Sequence, residues 1–309
     1  MLFRNISKTQ PVTLLLLLVI MFIWSVVYMS FVNAAPWIAD NVWFILLGGF
    51  IYVIIILIIQ HTLRKHDLSR NGYLTLLIIV ILSFNFPEIL ILDKILLAYL
   101  AHMFMLRNIF NLKSNQNIAL TLFDAGIYSG ISFLFFPQSI LYFLLIIIGY
   151  FIYVKIIDQQ IFIPFIGFIT PVFLWFVYKT LMNEPFNSFN QLGLNSINLA
   201  SLNIEDHVFL TLKFYSVLIL IAWIVFFTKT LMVTNPEDQK YKLLFPGFVI
   251  GFIVVLTSVS PHKNSFIFLF LPIAVLLSFW LKTLGKYWLK EVVLWLILLI
   301  SFQHIFVIF

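Results

Sequence analysis

Long apolar runs recur along the whole chain, and they limit what it can fold into before any other feature is weighed. A helix needs ~20 mostly apolar residues to cross a hydrocarbon core. Against that template the runs fall at 12–32, 42–60, 72–86, 88–106, 118–136, 138–154, 161–182, 207–228, 243–259, 266–281 and 292–309. In lipid no water satisfies the backbone, so each run must close its hydrogen bonds within a helix. Composition removes the alternative of a soluble domain. Hydrophobic residues make up 63% of 309 positions and charged residues 10%, whereas a water-facing shell takes roughly a quarter charged. The expected fold class is all-α, a polytopic transmembrane helix bundle of about eleven spans, with residues 1–309 as a single transmembrane domain. The runs 72–86 and 266–281 are short for a full crossing, and Pro87 and Pro137 mark tight joints between neighbouring runs.

The first run follows Arg4 and Lys8 as a signal peptide would. It is longer than the 7–15 residues of a signal's apolar core, so it is expected to be a retained span. Charge then orients the chain. With the N-terminus cytoplasmic, all of the 18 Lys and Arg residues except Lys94, Lys179, Lys213 and Lys263 fall in inner segments. Short inner loops collect basic residues, so the N-terminus is expected inside and the C-terminus outside. The same distribution argues against nucleic acid as a partner, because no basic cluster with interleaved exposed aromatics occurs. The connection from Asn183 to Asp206 lies on the outer side. It is expected to form a short helix on the membrane surface, and it is a candidate contact for a protein partner.

Chemistry is narrowed mostly by exclusion. There are no cysteines, so disulfides, thiol nucleophiles and cysteine-ligated metals are out. No Walker A, G-x-G-x-x-G, H-E-x-x-H or G-x-S-x-G motif occurs, and the six His are scattered over separate segments. No cofactor and no metal site is expected. Membrane lipids are the expected partners.

The outer side gathers the candidates. In Asn85-Phe86-Pro87-Glu88-Ile89-Leu90-Ile91-Leu92-Asp93-Lys94, Pro87 suits a first helical turn and Glu88 complements the helix dipole. Asp93 and Lys94 would lie two turns into the membrane, where ionisable groups are costly unless paired or wet. Neighbours on a helix point about 100° apart, so each needs a partner elsewhere or a water-filled cavity. Asp93 reads as a functional carboxylate or as half of a structural ion pair. Asp40 stands at the start of the second run, where the competing reading is an N-cap. Pro261-His262-Lys263-Asn264-Ser265 is a polar hinge suited to an anion such as phosphate. Lys179 and Lys213 have snorkelling to lipid headgroups as their simpler use. On the inner side Thr121-Leu122-Phe123-Asp124 has capping-box spacing, and Gly126 and Gly130 form a G-x-x-x-G step expected to pack closely on a neighbouring helix. His102 reads as a hydrogen-bonded packing residue or, less simply, as a ligand.

Two resemblances add to this. Leu122-Phe123-Asp124-Ala125-Gly126-Ile127-Tyr128-Ser129-Gly130-Ile131-Ser132 with Pro137, Phe162-Ile163-Pro164-Phe165-Ile166-Gly167-Phe168-Ile169-Thr170-Pro171, and the His262-Lys263-Asn264-Ser265 hinge resemble an uncharacterised family of polytopic membrane proteins from Bacteroidota, mainly flavobacteria. That resemblance implies the inner (cytoplasmic) membrane of a Gram-negative bacterium. In layout the chain is also similar to GT-C type glycosyltransferases that use polyprenyl-phosphate sugars. These carry catalytic carboxylates in the first two outer loops, where Asp40 and Glu88 or Asp93 stand here. The chain departs from them in a much shorter first outer loop.

Three functions are therefore expected to compete. The first is a periplasm-facing GT-C-like glycosyltransferase on a polyprenyl-linked substrate, with Asp40, Glu88 or Asp93 catalytic and Lys94, Lys213, His262 and Lys263 holding a phosphate or lipid headgroup. The second is a transporter or lipid-linked substrate flippase working through Asp93, Lys94, Asp124 and His102. The third is a non-catalytic membrane subunit of a larger envelope complex.

Overall fold

The computed structural model describes residues 18–20, 22–23, 26, 36–66, 68, 72–114, 117–154, 159–183, 206–230, 242–258 and 263–301. Most of the run 12–32 and of the connection 183–206 lies outside them. Among the described residues every regular element is helical and there is no strand. The helices are α1 (Pro36–Lys65), α2 (Gly72–Phe84), α3 (Lys94–Asn111), α4 (Ile118–Phe135), α5 (Phe143–Tyr153), α6 (Ile163–Leu181), α7 (Asp206–Thr230), α8 (Leu244–Thr257), α9 (Ile267–Thr283) and α10 (Tyr287–Ser301). Short 3-10 turns precede four of them, at Pro87–Leu90, Pro137–Tyr142, Gln159–Phe162 and Lys263–Phe266. Among the described residues four segments are long and apolar enough to cross a membrane: Trp43–Lys65, Ile118–Phe135, Gln159–Leu181 and Asn264–Thr283. The apolar helices Tyr73–Phe84, Pro137–Tyr153, Ser216–Thr228 and Leu244–Thr257 are shorter.

The chain divides into two compact units. The first comprises 1–92, 202–235 and 269–309, and α2 is its centre. This helix has only 13 residues, and nearly all its side chains are buried, as expected of a helix that is apolar all round. Its few polar groups point to three neighbours. The Tyr52 hydroxyl of α1 hydrogen-bonds the Ser83 hydroxyl, which donates to the Ile79 carbonyl at 2.8 Å. Thr75 Oγ1 donates to Ser278 Oγ of α9 at 3.0 Å, and Asn85 Nδ2 donates to Ser301 Oγ of α10 at 3.1 Å. Interhelical bonds of this kind in bilayers average about 0.6 kcal/mol, so apolar packing supplies most of the cohesion and these bonds fix register. Short length, an anomaly for a span, suits a helix that is sheathed by others.

The second unit comprises 93–201 and 236–268, and its core is α3, α4 and α6. Glycines set the α4–α6 spacing. A methyl group built on Gly126 would overlap the Pro164 carbonyl oxygen, one on Gly167 would overlap the Phe123 carbonyl oxygen, and one on Gly130 would come within 2.6 Å of the Phe168 oxygen. The G-x-x-x-G step therefore packs as expected, backbone on backbone. On the other side of α4, Ser132 Oγ donates to the Ala98 carbonyl of α3 at 3.0 Å. Gly149 of α5 makes room for the Ile109 side chain of α3.

Three local expectations are corrected. The run 88–106 is not one helix: a 3-10 turn at Pro87–Leu90 is followed by extended backbone at Ile91, and α3 starts only at Lys94. The Thr121–Asp124 pattern is not a capping box, because α4 already begins at Ile118 behind Asn117 (φ 51°, ψ 51°), and the Thr121 hydroxyl donates to the Asn117 carbonyl at 3.1 Å. Asp40 is not an N-cap, since α1 begins at Pro36 and passes through it.

Candidate functional site

The break between α2 and α3 is built from ordinary backbone needs. Past α2, Asn85 and Phe86 return their amides to Leu82 and Ser83 at 3.1 and 3.0 Å. Pro87 then opens the 3-10 turn, where its missing N–H costs nothing. The turn closes with Ile91 N–H on the Glu88 carbonyl at 3.1 Å, and Leu92 N–H reaches across to the Phe44 carbonyl of α1 at 3.0 Å. Gly48 makes this approach available, since a side chain there would run into Leu90 and Leu92 backbone.

Asp93 follows with extended backbone (φ −129°, ψ 161°) and caps α3, its Oδ1 accepting the Lys94 N–H at 2.6 Å. Among the described residues its side chain has no other hydrogen bond. Asp93 is partly buried and Lys94 exposed. The two charges thus stand at a helix end, with one carboxylate oxygen held by the Lys94 N–H. A helix N-terminus favours negative charge and disfavours a cation by about 0.3–1 kcal/mol. Asp93 suits that position; Lys94 does not, so stability alone gives no reason for a lysine there.

The remaining candidates are distributed between the units. Lys263 opens the 3-10 turn Lys263–Phe266, which packs against α3, and so lies in the unit of Asp93 and Lys94. Asp40 on α1, Glu88 in the 3-10 turn and Lys213 on α7 belong to the other unit. Glu88 is partly buried. His262 lies outside the described residues.

Deeper in the second unit is an arrangement that sequence reasoning saw only in part. His102 is 2% exposed and enclosed by rings: Tyr142 at 4.0 Å between centroids, Phe268 at 5.4 Å and Tyr99 at 6.1 Å. The Tyr142 hydroxyl donates to the Phe268 carbonyl at 3.3 Å. Among the described residues His102 Nδ1 and the buried Ser129 hydroxyl have no hydrogen-bond partner. The expectation of a hydrogen-bonded packing residue is met in the packing and not at Nδ1. Tyr99 stands one turn before His102 on α3, but a lone His between apolar neighbours gave no signal for Tyr142 and Phe268, which come from elements far away in sequence. Among the described residues no three of His, Asp and Glu converge as a metal site would require.

Against known proteins, a family of unknown function (DUF6427) matches over residues 1–308. No curated protein and no solved structure matches the chain.

Proposed function

We propose, for a chain that belongs to the DUF6427 family of unknown function, that residues 1–309 form one multi-spanning domain of a bacterial inner membrane, crossing it about eleven times with the N-terminus cytoplasmic. The observation that best supports insertion is α6. Its only buried residues are Pro164 and Gly167, while Ile166, Phe173 and Leu174 are 60%, 59% and 63% exposed. Apolar surface of that extent belongs in lipid or in an interface. At the end of α6 Lys179 Nζ lies 5.2 Å from the Trp175 ring centroid, a pairing that suits a basic stem beside an aromatic at a membrane interface. A reporter fused after Phe309 is expected to be active only outside the cytosol. Cytosolic activity overturns the orientation.

For the activity, we infer glycosyl transfer from a polyprenyl-linked donor at the outer face. The observation that supports this reading is Asp93 beside Lys94 at the start of α3, the carboxylate partly buried and the lysine exposed. Alternating transport calls for charges deep along a pathway, and this placement favours it less. In the proposed step the acceptor hydroxyl forms the new bond to the sugar's anomeric carbon and gives its proton to Asp93. The bond from that carbon to the phosphate breaks, and the electron pair leaves on the lipid phosphate. Lys94 and Lys263, with His262, would neutralise that phosphate. Asp40 and Glu88 are the alternative carboxylates.

Asp93→Asn separates chemistry from structure, because Asn caps a helix about as well as Asp. The variant is expected to accumulate to wild-type levels and lose about 10²–10⁴-fold in transfer, read as loss of a surface glycan. Asp93→Ala should lose the glycan and also about 1 kcal/mol of stability. An unchanged glycan profile in Asp93→Asn removes Asp93 from the chemistry and leaves the capping role alone.

A further inference from the structure

The joint between α9 and α10 combines features that nothing above uses. α9 ends with Lys282 in its last turn. Gly285 follows, with no atom of the described residues within 4 Å of where a Cβ would stand. Lys286 is exposed, and α10 then begins with Tyr287 and Trp288, 72% and 59% exposed. Lys290, one turn on, lies with its Nζ 5.3 Å from the Tyr287 ring centroid. Glu291 is the one acidic residue from Lys282 to Glu291, against Lys282, Lys286 and Lys290.

The rest of α10 has two faces. Leu294, Ile297 and Ser301 are buried, and Ser301 receives the Asn85 amide described above. On the opposite side Trp288, Val292, Trp295 and Leu299 are exposed at spacings of four, three and four, which is one stripe of a helix. Its charges are confined to the first turns. An exposed stripe of aliphatic and indole side chains running away from a basic, aromatic collar matches the two chemical layers of a bilayer leaflet: acyl chains, then anionic headgroups.

We propose that Lys282, Lys286 and Lys290, with Tyr287 and Trp288, form a collar that binds the headgroups of anionic phospholipids while the α10 stripe lies against their acyl chains. The proposal rests on the membrane reading above and adds a preference for lipid charge. Lysines contribute at close range to an anionic surface with about a fivefold gain each, so the collar acts on headgroups within roughly a Debye length. The exposed rings supply an amphipathic seat at headgroup depth.

The test uses the full chain reconstituted into vesicles of phosphatidylcholine with and without phosphatidylglycerol, and compares the two lipids retained by the re-extracted protein. Wild type is expected to retain phosphatidylglycerol preferentially. The Lys282→Gln/Lys286→Gln/Lys290→Gln variant should lose about fivefold of that preference per lysine, while Lys113→Gln, an exposed lysine of the other unit, should lose none. Wild type without a preference, or an equal loss in Lys113→Gln, overturns the collar. Displacement of lipid by inorganic phosphate also overturns it, showing a site for the free anion. Should the triple variant not fold, salt raised to ~1 M, where the Debye length is ~3 Å, must abolish the wild-type preference, and persistence counts against the proposal. A protein that fails to insert into either vesicle sinks the membrane reading, which is a separate outcome.

Discussion

Gly126→Leu is expected to yield no folded protein, and Gly126→Ala is expected to be destabilised by about 1–3 kcal/mol despite its better helix propensity. The reason lies in what the new atoms would meet. At Gly126 the first added carbon overlaps the Pro164 carbonyl oxygen and comes within 3.0 Å of Phe168 N, all of it backbone of α6. A flexible side chain could move aside, but a helix axis cannot move without separating the whole α4–α6 contact. That contact is held reciprocally: a Cβ on Gly167 would come within 3.1 Å of the Gly126 Cα. A bilayer supplies little hydrophobic drive between helices, so close backbone approach carries much of the association. Gly285→Ala is the matched control, because no atom of the described residues lies within 4 Å of its added carbon. Thermal unfolding in detergent, followed by the monodisperse fraction, should put Gly126→Ala well below wild type and Gly285→Ala level with it. Equal midpoints for the two alanine variants would show that α4 and α6 do not meet at these glycines.

This contact was legible in the sequence because its cause is local: two small residues one turn apart on an apolar helix. The helical class was legible for a similar reason, since apolar runs of this length have no other way to satisfy their backbones in lipid. The break at Ile91–Asp93 was not. Ile89-Leu90-Ile91-Leu92 continues the apolar pattern without a glycine or proline to mark a stop. Those residues leave the helix because Leu92 N–H finds the Phe44 carbonyl on α1, a partner more than forty positions upstream. Asp93 therefore read as a charge embedded in a span, and its placement as a cap at a helix end follows only once that long-range bond is known. The misread capping box has the same origin on a smaller scale. Thr121 and Asp124 have the right spacing, but the helix had already begun at Ile118 and the Thr121 hydroxyl was already bonded to Asn117.

Gly48 and Gly49 should respond in opposite ways to the same substitution, although they are neighbours on α1. A Cβ on Gly48 would overlap the Leu90 carbonyl oxygen and lie 2.6 Å from Leu92 N and 2.8 Å from Ile91 C, so it strikes the backbone that forms the break. Among the described residues a Cβ on Gly49 meets only the edge of the Phe22 ring, at 3.0 and 3.1 Å, and a ring can swing by a few tenths of an ångström. Both sites gain roughly 0.5–1 kcal/mol of helix propensity from alanine. At Gly49 that gain offsets the tight contact, and Gly49→Ala is expected to be near neutral. At Gly48 the clash removes the Leu92–Phe44 hydrogen bond as well, leaving the Leu92 N–H without its acceptor, which costs about 1–3 kcal/mol on its own. Gly48→Ala should therefore lower the unfolding midpoint clearly and speed amide exchange at Leu92, while Gly49→Ala changes neither. If Leu92 exchange is the same in both variants, the break is held by something other than its contact with α1, and Asp93 owes its position to a different cause.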